Sequence, residues 1–131
     1  SESTVIHTIT ATKPGDHAAA AWAVMRHLGR EGYRAAIGNL LDVVEIVCEG
    51  IEGIDGLRLL ARPLIGVVNF TSDEVAVEAL HLEMRGRGWG TTYGHSGERG
   101  RIRLSIPPDR DMVHARKLVA AVERAVRTLQ G

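Results

Sequence analysis

The sequence predicts an α+β fold in which a helical lead-in precedes a small antiparallel sheet covered by two helices. Three observations carry this. Apolar residues recur at intervals of three and four from Glu31 to Gly53, the period then shortens after Gly56 to brief β-branched runs, and two further helical patterns close the chain. With 131 residues, 44% of them hydrophobic, there is enough chain for one domain with a buried core.

The elements follow in order. Residues 1–9 alternate loosely, with Val5, Ile6 and Ile9 among threonines and histidines, as a short strand or an arm lying on something else. Pro14 and Gly15 end that segment, and Asp16 is placed as an N-cap whose carboxylate accepts from the first free helical N–H groups. The helix it opens runs through an alanine tract and Trp22 to Leu28, and its small side chains let another backbone approach closely. Alone, the Ala19-to-Trp22 face has no counterpart, so self-association or a separate partner is expected. Gly29 and Gly32 make a bend. The second helix then carries Ile37, Leu40, Leu41, Val44, Val47, Cys48 and Ile51 as one stripe and ends near Gly53.

From Gly56 the reading changes to strands. Leu57 to Ala61 and Ile65 to Phe70 form antiparallel neighbours across a turn marked by Pro63. Thr71, Ser72 and Glu74 offer an N-cap, Thr71 with Glu74 three residues on having the form of a capping box, and open a helix over about Asp73 to Arg87. It carries Val75, Ala79 and Leu82 and, on an adjoining row, Val77, Leu80 and Met84, and Gly88 is its C-cap. Gly90 to Gly100 reads as a glycine-rich mobile loop. Arg101 to Ile106 is a strand with Ile102, Leu104 and Ile106 on one face and Arg101 and Arg103 on the other. After Pro107-Pro108, Asp109 caps a last helix lined by Met112, Ala115, Val119, Val122, Val126 and Leu129. The resulting order is β-β-α-β-α behind the helical lead-in.

Charge and composition narrow the function. Sixteen basic residues balance sixteen acidic ones, which removes the electrostatic case for nucleic acid or an anionic membrane. Trp89, Tyr93 and His95, flanked by Arg85, Arg87, Arg99, Arg101 and Arg103, superficially suggest an RNA-binding loop, but Glu78, Glu83 and Glu98 interrupt the charge. Six histidines show no ligand spacing, so no metal site is expected. The single cysteine, Cys48, sits in an apolar helical pattern as a buried, inert thiol, and the chain reads as cytoplasmic, without a membrane span. Thr10, Thr12 and Lys13, two hydroxyls and a cation beside a helix start, suit a phosphate or carboxylate; the same residues also suit an ordinary capped turn.

The run Thr12-Lys13-Pro14-Gly15, the alanine-rich helix with Trp22, and Leu28-Gly29-Arg30-Glu31-Gly32-Tyr33 together resemble the segment that follows the cofactor lysine in pyridoxal-phosphate-dependent group II amino-acid decarboxylases. These are the glutamate, tyrosine and aromatic decarboxylases, with the sphingosine-phosphate lyases. The resemblance continues through Gly56-Leu57, Pro63, Val67-Val68-Asn69-Phe70, Arg87-Gly88-Trp89 and Arg103. It implies the carboxyl-terminal part of such an enzyme, with residues 1–54 ending the large domain and 55–131 forming the small domain of a fold-type I enzyme. It also implies pyridoxal 5'-phosphate as cofactor of the complete carboxy-lyase, and a dimer or higher assembly. The family's cofactor lysine lies upstream of the resembling region, in a large-domain segment that would be the chain's partner. Lys13 stands where the family has arginine, and Lys117 reads as surface, so the chain alone is expected to be inactive. By the same resemblance Thr12 matches a hydroxyl that reaches the neighbouring subunit's cofactor phosphate. Arg103 matches a small-domain arginine that holds a substrate carboxylate, with a merely solvated arginine as the alternative. The competing reading of the chain is a stand-alone, non-catalytic α+β binding or assembly module that keeps the fold without the chemistry.

Overall fold

The computed structural model of the chain describes residues 15–63 and 65–131. The expected strand or arm over residues 1–9 and the turn carrying Thr10, Thr12 and Lys13 lie outside the described residues. The described part divides into two compact units meeting between Arg34 and Ala35. Helix α1 spans Gly15–Glu52, beginning one residue ahead of the expected cap. Its helical geometry is interrupted at Gly29, whose φ of 64° and ψ of 179° favour a residue without a Cβ. Gly32, expected to share the bend, stays helical.

In the first unit α1 is solvent-facing. Trp22, Val24, Met25 and Leu28 are all exposed, Trp22 at 62%, with Arg26 stacked on the Trp22 ring at 5.3 Å. Glu31 and Arg34 form an exposed ion pair at 3.7 Å, too screened to matter for stability.

The second unit is built on a four-stranded antiparallel sheet. Its strands are β1 (Leu57–Leu59), β2 (Val67–Ser72), β3 (Thr91–Ser96) and β4 (Arg99–Ser105), in spatial order β1-β2-β4-β3. Two helices complete it, α2 (Val77–Gly86) and α3 (Met112–Gln130). The expected α+β architecture is present, with β1 and β2 paired antiparallel as anticipated. Leu57, Val68, Phe70, Ile102 and Leu104 from one sheet face share a single core with both helices and with Leu40, Val43, Val44, Val47, Cys48 and Ile51 of α1. Three helical segments, rather than α2 and α3 alone, therefore bury that face.

Several local expectations are corrected. Ile37 and Leu41 are about half exposed, while Val43, unassigned from the sequence, is fully buried. Leu82 on α2 is likewise exposed, whereas Leu80 and Met84 of the adjoining row are buried. Thr71 is not a helix cap. It belongs to β2, is 1% exposed, and its Oγ1 donates to the Gly100 carbonyl at 2.8 Å, joining the two central strands. Ser72 instead stabilises the turn ahead of α2, its Oγ accepting from the Glu74 and Val75 N–H groups at 3.2 and 3.0 Å, and α2 starts later, at Val77, after Ala76 as an N-cap without a side-chain bond. Asp111, not Asp109, caps α3, accepting from His114 N–H at 2.9 Å. In α3, Met112 is exposed, and Leu118, Ala121 and Ala125 join Ala115, Val122 and Val126 in the buried set.

The largest correction is the glycine-rich segment, which is not a mobile loop. Thr91–Ser96 is edge strand β3, joined to β4 by a two-residue turn in which Gly97 takes φ 66°. It carries no aliphatic residue, because β4 supplies the apolar half of the pair and an edge strand needs little burial of its own. The order of elements along the chain after α1 is therefore β-β-α-β-β-α.

Helices α1 and α3 approach closely at Gly50, where an added Cβ would lie 2.5 Å from Val119 Cγ2. Gly50→Ala should cost about 1–3 kcal/mol by overpacking. Adding Val119→Ala to the same chain should return part of that loss, as measured by urea unfolding midpoints. Equal midpoints for the single and double variants would place the strain elsewhere.

Candidate functional site

Strand alternation sends Val68, Phe70, Ile102 and Leu104 into the core and leaves Asn69, Arg101 and Arg103 on the opposite, uncovered face. Asn69 pairs with Arg103 across β2 and β4, while Thr92 and Gly94 of β3 face Arg103 and Arg101 from the other side. Arg58 and Arg99 share that face. Both reach Asp73, at 3.6 and 3.1 Å, and so carry their counter-charge with them.

Arg101 and Arg103 are held differently. Arg103 Nε donates to Asn69 Oδ1 at 3.1 Å. Arg101 Nε donates to the His95 carbonyl at 3.2 Å, and its Nη1 makes a longer contact of 3.4 Å with the same Asn69 oxygen. Among the described residues neither guanidinium meets a carboxylate, and the terminal nitrogens of Arg103 have no hydrogen-bond partner. Two cations thus converge on one neutral amide oxygen. Such a face can take an anion, and a guanidinium with its terminal pair free suits a carboxylate bidentately.

The sequence placed Arg101 and Arg103 together on the strand face opposite the apolar one, and the structure has them there. Asn69 has no role assigned from sequence. Its signal is a lone polar residue on the open side of an otherwise apolar strand, but its register with Arg103 requires the fold. Thr12, the other site residue expected, lies outside the described residues. Lys117 stands exposed on α3, lining a surface cleft with Arg87, Trp89, Ala121 and Arg124. The described residues of this face therefore offer an anion site and do not make a cradle for a phosphorylated cofactor by themselves.

The aromatic residues of the former loop are on the other side. Tyr93 is paired with Ile102 on the helix-covered face, its hydroxyl 3.3 Å from His95 Nε2 and its ring stacked at 5.9 Å on His81. His81 Nδ1 lies 2.7 Å from Thr91 Oγ1. Trp89 packs against His114 at 5.5 Å. Aromatic platforms and the arginines of β4 consequently occupy opposite faces, which dismantles the superficial RNA-binding pattern. Among the described residues, no three metal-ligating side chains gather, and no helix is long and apolar enough to cross a membrane.

Cys48 is 2% exposed, and burial, reinforced by the Glu45 carboxylate, pushes its thiol above the ordinary range. Folding thus favours the protonated thiol, so its stabilising effect is present below the usual thiol pKa and fades as pH rises through the raised one. Iodoacetamide at pH 8 should leave Cys48 unmodified in the folded chain and alkylate it rapidly in urea, as read by intact mass. Equal rates in both conditions would contradict its burial.

No model of a protein family matches the chain. L-aspartate decarboxylase of Thermococcus kodakarensis is 30% identical over 122 residues, covering 93% of this chain and 30% of the relative. The sphingosine-1-phosphate lyase structure from Burkholderia pseudomallei superposes with a TM-score of 0.74 at 25% identity, over 93% of this chain and 27% of the other. The structure of Oryza sativa TDC with PLP and tryptamine shares the fold at a TM-score of 0.74 and 16% identity, covering 84% of this chain and 26% of the other. The chain spans less than a third of the length of each. Sequence and fold thus make it a relative of the pyridoxal-phosphate-dependent group II amino-acid decarboxylases and sphingosine-1-phosphate lyases, corresponding to one part of such a polypeptide.

Proposed function

We propose that the chain is the carboxyl-terminal part of a pyridoxal-phosphate-dependent amino-acid decarboxylase of the cytoplasm, with residues 1–54 ending the large domain and 55–131 forming the small domain. When bound, pyridoxal phosphate supplies an electron sink for carbon dioxide loss. This chain's contribution is to bind and orient. Arg103 holds a carboxylate of the substrate, and Thr12 donates its hydroxyl to the cofactor phosphate across a dimer interface. The cofactor lysine comes from a large-domain segment outside residues 1–131.

The observation that carries the reading is Arg103 on the uncovered sheet face, its terminal nitrogens without a partner among the described residues. Exposed Trp22, Val24, Met25 and Leu28 favour an assembled state over a stand-alone module, since burying each such side chain is worth about 1.5–3 kcal/mol. In the cofactor-loaded enzyme that contains this chain, Arg103→Ala should lower kcat/KM about 10- to 100-fold, the worth of a lost charge-assisted pair. Arg103→Lys should recover little, because an ammonium lacks the planar fork. Unchanged kcat/KM in Arg103→Ala would remove Arg103 from the site.

A further inference from the structure

We infer that Asn69 and Arg101 are positioning residues for Arg103, fixing its guanidinium so that the terminal Nη pair presents end-on to a carboxylate. The inference rests on the assignment of Arg103 to the substrate carboxylate and adds the device that aims it.

An arginine on an open sheet face samples many rotamers, and holding it still costs entropy that binding must then offset. Here the orientation is set before any ligand arrives. Arg103 spends its Nε on Asn69 Oδ1 at 3.1 Å, which rules out the side-on mode that uses Nε and leaves the end-on one. Asn69 is in turn oriented by charge. Only its oxygen can accept, so two guanidiniums converging on one side-chain atom settle which end of the amide faces them. Arg101 is anchored independently of Asn69 through its Nε bond to the His95 carbonyl. Gly94, its cross-strand partner, leaves the space it needs, since a Cβ there would stand 3.2 Å from Arg101 Nη2. The chain of constraint thus runs from the β3 backbone through Arg101 and Asn69 to Arg103.

The choice of asparagine also matters electrostatically. An aspartate at position 69 would orient Arg103 equally well but would neutralise it. The neighbouring Arg58 and Arg99 show that outcome, both being committed to Asp73. A neutral acceptor keeps two positive charges available, so the incoming carboxylate is the counter-ion the face lacks.

The test uses the 131-residue chain, with arginine Nε–H signals followed by NMR during titration with succinate as carboxylate probe and, separately, with inorganic phosphate. The wild-type chain should show a succinate-dependent shift of the Arg103 signal, with phosphate binding more weakly because an end-on pair matches a planar carboxylate. Asn69→Ala should weaken succinate about tenfold. Asn69→Asp should abolish the response while keeping the Arg103 signal as dispersed as in wild type and the unfolding midpoint at or above it, a combination that a merely structural role does not produce. Arg99→Ala should leave the titration unchanged. Loss of binding in Arg103→Ala with full binding in Asn69→Ala would overturn the positioning role and leave the Arg103 assignment standing. Full binding in Arg103→Ala, or no response of the wild-type chain to either anion, would overturn both. Tighter binding of phosphate than succinate would overturn the carboxylate geometry.

Discussion

Phe70→Ala is expected to remove most of the stability of the Ala35–Gly131 unit. Phe70, the sole phenylalanine, is fully buried on central strand β2, paired with Leu59 of β1 on one side and Ile102 of β4 on the other. Its ring lies in the core shared by the sheet and the three helical segments. Truncations of this kind cost about 3–5 kcal/mol, against a total of about 5–15 kcal/mol for a typical domain. Thermal unfolding by circular dichroism should show a drop of tens of degrees or loss of the cooperative transition. Leu82→Ala is the control. Leu82 is as apolar but 61% exposed on α2, and its removal should change stability by less than about 0.5 kcal/mol. Comparable losses in the two variants would mean that the core is not where the sheet places it.

Gly66→Ala is expected to be strongly destabilising, and for a backbone reason. A Cβ at Gly66 would lie 2.5 Å from the Ile106 carbonyl oxygen, with Leu40 Cδ1 at 3.1 Å behind it. The two residues are already tied together, Ile106 N–H donating to the Gly66 carbonyl at 2.7 Å. Relief requires moving the end of β4 away from the entry to β2, because a carbonyl cannot rotate aside as a side chain can. Overpacking costs about 1–3 kcal/mol, and loss of the hydrogen bond adds about 1 kcal/mol more. Gly38→Ala should act with the opposite sign. Gly38 lies in α1 with nothing within 4 Å of its would-be Cβ, so alanine there gains roughly 0.5–1 kcal/mol of helix propensity. Urea midpoints that move in the same direction for both variants would contradict the close approach at Gly66.

Where side chains repeat with a clear period, the fold was legible. The alternation of Ile102, Leu104 and Ile106 located β4 with its buried face, because burial of one face is what imposes that period, whereas α2 offered two adjoining apolar rows of which only Leu80 and Met84 are buried. Illegible elements were those whose burial is supplied by others. Thr91–Ser96 contains no aliphatic residue, and its pairing is set by β4 and by Gly97, so composition alone suggested a loop. Thr71 has the sequence form of a capping residue, but the sheet claims it for a hydrogen bond to Gly100. Ile37 and Leu41 continue the stripe of α1 yet stay exposed, since periodicity marks which residues are apolar and not what lies over them. At the candidate site the open face bearing Arg101 and Arg103 followed from alternation. Asn69 did not, because its role depends on a register between β2 and β4 separated by more than one element.

The central claim, that this chain serves a pyridoxal-phosphate enzyme without furnishing its cofactor lysine, is tested most directly by locating the cofactor. Protein carrying residues 1–131, isolated from its natural source, would be treated with borohydride to fix any bound cofactor to its lysine and then mapped by peptide mass. The account predicts one pyridoxyl-lysine, on a segment outside residues 1–131, whether in the same polypeptide or an assembled partner. A pyridoxyl group on Lys13 or Lys117, or no pyridoxyl-lysine anywhere in the isolated protein, would contradict it.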